Sequence, residues 1–227
     1  MERILPTYEE FVKLENATLK LLHDRLSQLQ TLAHTSGLVK QCRSYSHPGL
    51  FRFGFHWDVH YMGKECRLFL GADVWKQEDG DYIANTSYCM CLVEGRDKPN
   101  KVLRKFHFDY VTERSDRKQP HPRFHLQYCG GLPPFLTSLG ITKKLMEPLV
   151  PEVEGPRIFF RPMTLGLLMN IAFHEFPCGD TDQIKKKGEW LNLVRDNERV
   201  VLKPFYSKCA DLAGKDGVVF FEQVYVR

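Results

Sequence analysis

The sequence between Leu50 and Tyr128 alternates between apolar and polar residues, and this two-residue period limits the folds that the chain can adopt. Side chains that alternate in this way point to opposite faces of a β-strand. The pattern predicts five strands, at Phe51 to Tyr61, Cys66 to Trp75, Tyr82 to Val93, Val102 to Val111 and Arg123 to Tyr128. Because strands joined by short polar turns pair antiparallel, we expect an antiparallel meander sheet of about five to six strands.

Helical spacing replaces the strand pattern in the part of the chain that precedes the sheet. Thr7 and Glu10 form a capping box, the residue pair that typically starts a helix. Apolar residues then recur at helical spacing until Ser36 and Gly37 end the pattern: Val12, Leu19, Leu22, Leu26, Leu29 and Ala33. The sequence therefore predicts a long N-terminal helix. We expect it to pack within the monomer, with a homodimer through this helix as the alternative.

The part of the chain that follows the strands is predicted to be mainly helical. A proline-rich run at residues 147–156 precedes it, and we treat this run as a seam inside a single α+β domain of residues 1–227. Thr164 to Phe176 is apolar on nearly every side, which is typical of a helix packed on a sheet. The other predicted elements are strands at Arg157 to Phe160 and Val218 to Val226, and helices at Gln183 to Asn197 and Pro204 to Ala213.

Charge and cysteine content exclude several classes of protein. The net charge of +4 lacks the clustered excess of a nucleic-acid-binding protein, so nucleic acid stays open as a partner but is not indicated by charge. No run of about 18 apolar residues is present, so no membrane span is predicted. The seven cysteines include no C-x-x-C pair, which argues against zinc fingers and disulfide scaffolds. The N-terminus lacks the pattern of a signal peptide, so we predict a cytoplasmic protein.

Three predicted strands carry histidine and carboxylate side chains on the face opposite to their aromatic residues. These positions are His56, Asp58 and His60 in the first strand, His107 and Asp109 in the fourth, and Arg123, His125 and Gln127 in the fifth. Such side chains ligate metals, transfer protons and hold anions more often than the Thr, Lys and Glu of an ordinary solvent-facing sheet. Because a buried unpaired ion is costly, this face must be hydrated, internally paired or in contact with a ligand.

The fourth and fifth strands contribute the best candidate site. If they pair, neighbouring Cβ atoms lie about 4.5 to 5.5 Å apart, and His107, Asp109, His125 and Gln127 meet on one face. Together with Arg123, these are the candidate catalytic or binding residues. A divalent metal is the one cofactor that they suggest. Its candidate ligands are His107, Asp109 and His125, joined by His56, Asp58 and His60 only if the first strand lies alongside.

Three interpretations of this polar face stay open. The first is structural, with the histidines and carboxylates paired to one another. The second, which is our functional prediction, is a cleft that binds a polar or anionic ligand or protein. The alternative is a hydrolase of the ribonuclease or phosphodiesterase type, either metal-dependent or metal-free, with one His as base and Arg123 stabilising charge. The sequence contains no G-x-G-x-x-G, P-loop, G-x-S-x-G or H-E-x-x-H motif, so it leaves open whether the protein is an enzyme.

A family resemblance rests on two segments, His107 to Tyr110 and His121 to Gln127, whose residues are HFDY and HPRFHLQ. Together with Pro156 to Ile158 and the apolar helix that ends in Phe176, they resemble a family of uncharacterised bacterial proteins with an HFDY and HPxFHxQ pattern. The resemblance covers residues 100–206. It implies a bacterial, cytosolic domain of unknown function, linked to mobile-element or defence genes, and it assigns no catalytic role to any residue.

Overall fold

The computed structural model contains an N-terminal helix, an antiparallel sheet and C-terminal helices, which confirms the predicted α+β class. It describes residues 5–29, 45–47, 49–95, 101–112, 121–128, 136–137, 140–146, 157–176, 179–214 and 225–226. Among these residues, no helix is both long and apolar enough to cross a membrane. The seam predicted at residues 147–156 lies outside the described residues.

The described strands form a seven-stranded sheet and a separate two-stranded ribbon. The sheet contains, in spatial order, β1 (Tyr45–His47), β2 (Leu50–Tyr61), β3 (Lys64–Lys76), β4 (Ile83–Glu94), β5 (Lys101–Val111), β7 (Phe124–Tyr128) and β8 (Arg157–Phe159). The ribbon pairs β6 (His121–Pro122) with β9 (Tyr225–Val226). All pairs are antiparallel, and each strand of the sheet follows its spatial neighbour in the chain, so the predicted meander is confirmed.

The two-residue period located these strands correctly because the sheet has two distinct faces. The five predicted strands correspond to β2, β3, β4, β5 and β7, and the short strand predicted at Arg157 to Phe160 corresponds to β8. β2 and β3 meet at a two-residue turn in which Met62 and Gly63 both have positive φ, of 48° and 75°. This is the backbone conformation that hairpin turns favour, because its twist matches that of the strands. Of the closing strand predicted at Val218 to Val226, only β9 belongs to the described residues.

Helix α1 (Tyr8–Leu29) begins at the predicted capping box. Thr7 Oγ1 accepts a hydrogen bond from Glu10 N at 3.1 Å, and Glu10 Oε2 accepts one from Thr7 N at 2.9 Å, so two backbone donors of the first turn are satisfied. The predicted continuation to Ser36 lies outside the described residues. The inward positions of α1 belong to the protein's own core, as expected for packing within the monomer, and its exposed positions include Glu9, Glu10, Lys13, Asn16, Lys20, His23 and Asp24.

The C-terminal helices pack on the same side of the sheet as α1. They follow the short α2 (Lys143–Met146) and are α3 (Leu165–Glu175), α4 (Gly179–Lys185), α5 (Gly188–Asn197) and α6 (Lys203–Ala213), with a π-helical segment at Glu198–Leu202 between the last two. The prediction that Thr164 to Phe176 is a buried helix is confirmed by α3. Pro204 lies in the first turn of α6 as predicted, directly after the π-helical segment.

Alternate residues divide the sheet into a helix-covered face and a second face. The helix-covered face contributes the main apolar core, including Phe51, Phe53, Phe55, Trp57, Leu68, Leu70, Tyr88, Met90, Phe108 and Phe124. Each such large side chain contributes about 1.5 to 3 kcal/mol when it is fully buried. The second face has a smaller apolar cluster, formed by Phe69, Cys89, Cys91, Val93, Val102, Leu136 and Ile141. The polar residues that the sequence singles out lie on this second face, beside that cluster.

Candidate functional site

β5 and β7 are adjacent, as predicted for the fourth and fifth strands. Their register places Asp109 directly opposite His125, and His107 directly opposite Gln127. Residues at odd positions of these strands share the second face, because Phe108 and Phe124 at even positions belong to the helix-covered core. The four predicted residues His107, Asp109, His125 and Gln127, which we call the β5–β7 quartet, therefore lie together on one face. Their functional role stays a prediction.

Three members of the quartet are buried, and the side chain of the fourth, Asp109, is 20% exposed. His107, His125 and Gln127 are only 6%, 4% and 8% exposed. His125 Nε2 lies 3.5 Å from Asp109 Oδ2, a contact that orients the imidazole toward the carboxylate. Because unpaired polar groups are costly to bury, this contact is part of what allows these side chains to lie inside the protein.

Asp109 is the ionised member of this group. Burial by itself raises the pKa of the Asp109 carboxyl, but the hydrogen bond from His125, the charge of His107 and a hydrogen bond from Ser87 together outweigh burial, and the pKa ends below its usual value. The carboxylate therefore carries its charge at neutral pH. Its second oxygen, Oδ1, is inaccessible to solvent and has no hydrogen-bond donor among the described residues. The site thus contains one buried acceptor that is left for a donor from elsewhere.

His107 lies next to a cysteine on the neighbouring strand β4. Cys89 is directly opposite His107, and its Sγ is 4.0 Å from His107 Nε2. Burial is the largest of the effects that raise the pKa of the Cys89 thiol well above its ordinary value. A buried thiol that resists ionisation is a weak nucleophile. The Cys89–His107 contact therefore does not favour cysteine-based catalysis.

The polar row continues across the sheet to residues that the sequence reasoning missed. Asp109 is opposite Ser87 on β4, and Ser87 is opposite Asp73 on β3. Asp73 in turn accepts two hydrogen bonds from Arg52, at 2.6 and 2.8 Å. The two-residue period contained this signal, since Asp73 and Ser87 alternate with buried apolar residues, but strand order was needed to align them with Asp109.

Lys105 is a second residue that was missed. It lies two positions before His107 on the same face of β5, and it is completely buried. Its sequence position carried the same alternation signal as His107 and Asp109, but a lysine in a strand usually indicates a solvated side chain. The second face near the quartet therefore contains a buried lysine side chain in addition to the two imidazoles.

The first polar strand does not join the quartet. It corresponds to β2, and β3 and β4 lie between it and β5, which at about 4.8 Å per strand places it roughly 14 Å from β5. Asp58 pairs instead with Arg67 of β3 at 2.9 Å, and the His56 ring contacts Phe69 at 5.1 Å. His60 is exposed near the end of β2. His56, Asp58 and His60 therefore do not extend the site, because β2 lies beside neither β5 nor β7.

The predicted metal ligands are therefore divided between two parts of the second face. Among the residues that the structure describes, no group of three or more His, Cys, Asp or Glu side chains is arranged to hold a metal ion. Arg123 lies at the bend before β7, where its carbonyl accepts a hydrogen bond from Val111 N at 2.9 Å. It thus stands one residue beyond the paired part of β7, at the end of the strand that holds His125.

Comparisons with known proteins add no family to this geometry. No protein-family model, curated protein or solved structure matches the chain. The resemblance to bacterial proteins with the HFDY and HPxFHxQ pattern thus gains no support.

Proposed function

We propose that the chain binds a small polar or anionic ligand against the β5–β7 quartet. The observation that carries this proposal is the buried oxygen Asp109 Oδ1, which has no donor in the described part of the chain although it lies beside two imidazoles. A buried acceptor that is left unsatisfied costs about 1 to 3 kcal/mol. A ligand that donates a hydrogen bond to this oxygen would recover that energy.

The charges around Asp109 support a ligand that also carries acceptors. His107 and His125 can donate from their ring N–H groups, Gln127 from its amide, and the buried Lys105 from its amine on the same face. Protonation of both imidazoles makes the quartet net positive, which favours an anion. Phosphate monoesters and hydroxylated carboxylates combine an anionic group with a hydroxyl donor, and they are the ligands that fit best.

The free cysteines support the cytoplasmic setting that we infer for this binding protein. Cys66, Cys89 and Cys91 are buried and unbonded to one another, as expected where thiols are kept reduced.

Ligand binding is tested with His107→Ala and His125→Ala variants, and with His60→Ala as a matched control on an exposed histidine outside the quartet. The ligands are inorganic phosphate and adenosine monophosphate, and binding is measured by isothermal titration calorimetry. We expect saturable binding in the wild type and in His60→Ala. Each quartet variant is expected to weaken binding about tenfold or more, which corresponds to about 1.4 kcal/mol. Melting curves without ligand establish that the variants fold.

Equal affinity of His60→Ala and both quartet variants would contradict the proposal, as would the absence of binding for both probes. Should an alanine variant fail to fold, His125→Gln retains a donor of similar size and replaces it in the comparison. A loss of folding in all quartet variants, combined with no binding by the wild type, would favour the structural interpretation of the polar face.

The contact between His125 and Asp109 also favours a second candidate function, metal-free hydrolysis of a phosphodiester such as RNA. A carboxylate that orients an imidazole is the arrangement used for general base catalysis, which contributes about 10² to 10⁴-fold in rate. We expect single-stranded RNA to be cleaved at a rate that falls by at least about 100-fold in His125→Ala and that is unchanged in His60→Ala and in the presence of a chelator. Full activity of His125→Ala would exclude this function.

A further inference from the structure

A buried carboxyl group lies at the junction of α1, β4 and α3, on the helix-covered side of the sheet and away from the candidate site. Glu15 is fully buried. Leu165 N, at the start of α3, donates to both carboxyl oxygens, at 3.0 and 3.1 Å. The Tyr88 hydroxyl of β4 donates to Oε1 at 3.0 Å. One side chain thus joins three elements that are far apart in the sequence.

The surroundings of Glu15 favour its protonated form. In the ranges that the structure describes, no basic side chain contacts this carboxyl group: β4 contributes the Tyr88 hydroxyl and α3 contributes the Leu165 N–H. The exposed ion pair between Arg25 and Glu189 joins α1 to α5 further along the helix. Burial therefore raises the pKa of Glu15 to about 8, although the two hydrogen bonds act to lower it. When protonated, the carboxyl can donate its hydrogen to the Tyr88 oxygen.

The elements that meet at Glu15 are not equally free to move. β4 lies in the middle of the sheet and pairs with both β3 and β5 along most of its length. α1 is a surface helix, with its inward face on the core and charged side chains on its outward face. The ladders that hold β3, β4 and β5 do not involve α1. The ionised Glu15 carboxylate therefore reaches water most easily through a movement of α1.

We propose that Glu15 is a proton-operated latch, which holds α1 against β4 and α3 while it is protonated and releases α1, with the sheet still paired, when the proton passes to solvent. The released α1 uncovers the part of the core around Tyr88 and Leu165. The exposure of this apolar surface would then depend on the pH of the solution.

The latch is tested by hydrogen exchange, followed by mass spectrometry, on the full chain from about pH 5 to 9. Glu15→Gln mimics the protonated carboxyl, and Glu9→Gln makes the same change at an exposed position of the same helix. After correction for the intrinsic rate of exchange, we expect the opening constant of α1 in the wild type and in Glu9→Gln to rise about tenfold per pH unit until Glu15 is ionised. In Glu15→Gln it should be independent of pH, and in the wild type β3 and β4 should stay more protected than α1 at every pH.

Two results would overturn the latch. One is an opening free energy of α1 equal to that of the β3–β4 hairpin at every pH, since the charge would then be relieved only by unfolding of the whole protein. The other is an unchanged pH dependence of α1 in Glu15→Gln. Should Glu15→Gln fail to fold, the comparison of α1 with β3 and β4 in the wild type decides the question, because the latch requires that α1 open first.

Discussion

We expect the free energy of unfolding of the wild type to fall by about 1 to 2 kcal/mol as the pH rises from 6.5 to about 8, and the Glu15→Gln variant to lose this fall. The sign follows from the pKa of Glu15, which is about 8 in the folded protein against a usual 4.5. Between these values the folded state binds more protons than the unfolded state. The stabilisation from Glu15 is therefore complete below about pH 4.5 and is lost as the pH rises to about 8.

The pH dependence of stability that His56 causes is opposite to that of Glu15. His56 therefore limits the pH range in which the contribution of Glu15 can be observed. Burial is the main cause that lowers the pKa of His56, from 6.5 to about 4, with the charge of Arg67 acting in the same direction and that of Asp58 against it. The stabilisation from a neutral His56 is complete above pH 6.5 and is lost as the pH falls to about 4. Each group is worth about 3 kcal/mol between pH 4 and 6.5, so their contributions nearly cancel there. Above pH 6.5 Glu15 dominates.

Urea unfolding at a series of pH values measures this prediction. Subtracting the wild-type free energy from that of Glu15→Gln removes the contribution of His56, because both proteins contain it. We expect this difference to widen by about 4 kcal/mol between pH 4.5 and about 9. The exposed control Glu9→Gln should differ from the wild type by a constant amount. A difference for Glu15→Gln that is equally constant would show that the carboxyl group reaches solvent in the folded protein.

The location of the strands and helices could be predicted from the sequence because each element buries one face. Alternation identified β2, β3, β4, β5 and β7 and the face on which each side chain lies. It also identified the members of the β5–β7 quartet. The period of a strand carries no information about which other strands lie beside it, so the separation of His56 from His125 by three intervening strands followed only from the pairing.

The burial of Glu15 was likewise not predicted from the sequence. Among the positions of α1 up to Arg25, the most deeply buried are Phe11, Glu15, Thr18 and Leu22, which follow one another at steps of three and four residues. A prediction based on apolar residues alone selected Leu19 and Leu26 and passed over the glutamate within the buried stripe. Helical spacing from Phe11 to Leu22 places Glu15 on the inward face, so the signal was present in the position of the residue rather than in its type.

We expect Gly166→Ala to destabilise the protein by about 1 to 3 kcal/mol in the wild type and to become neutral or stabilising in an Asn197→Ala background. Gly166 lies in the first turn of α3, and a Cβ atom there would be 2.7, 2.8 and 2.9 Å from Nδ2, Cγ and Oδ1 of Asn197. The Asn197 side chain cannot yield easily. Its Oδ1 accepts a hydrogen bond from Thr164 Oγ1 at 2.6 Å, and its Nδ2 donates to Leu193 O at 2.7 Å.

The effect of Gly166→Ala on stability is expected to change sign between the two backgrounds. This change distinguishes the steric contact with Asn197 from the effect of helix propensity. Alanine is more favourable than glycine inside a helix by roughly 0.5 to 1 kcal/mol, so Gly166→Ala should show that gain once the Asn197 amide is removed. Asn197→Ala itself costs about 1 to 3 kcal/mol, because it leaves the buried Thr164 hydroxyl without its acceptor. Gly188→Ala is the matched control, since apart from its chain neighbours and the backbone of α5 itself no atom of the described residues lies within 4 Å of a Cβ at that position. Urea unfolding of the wild type, the two single variants, the double variant and the control measures the coupling energy between Gly166→Ala and Asn197→Ala. Equal effects of Gly166→Ala in both backgrounds would mean that the Asn197 side chain is free to move aside.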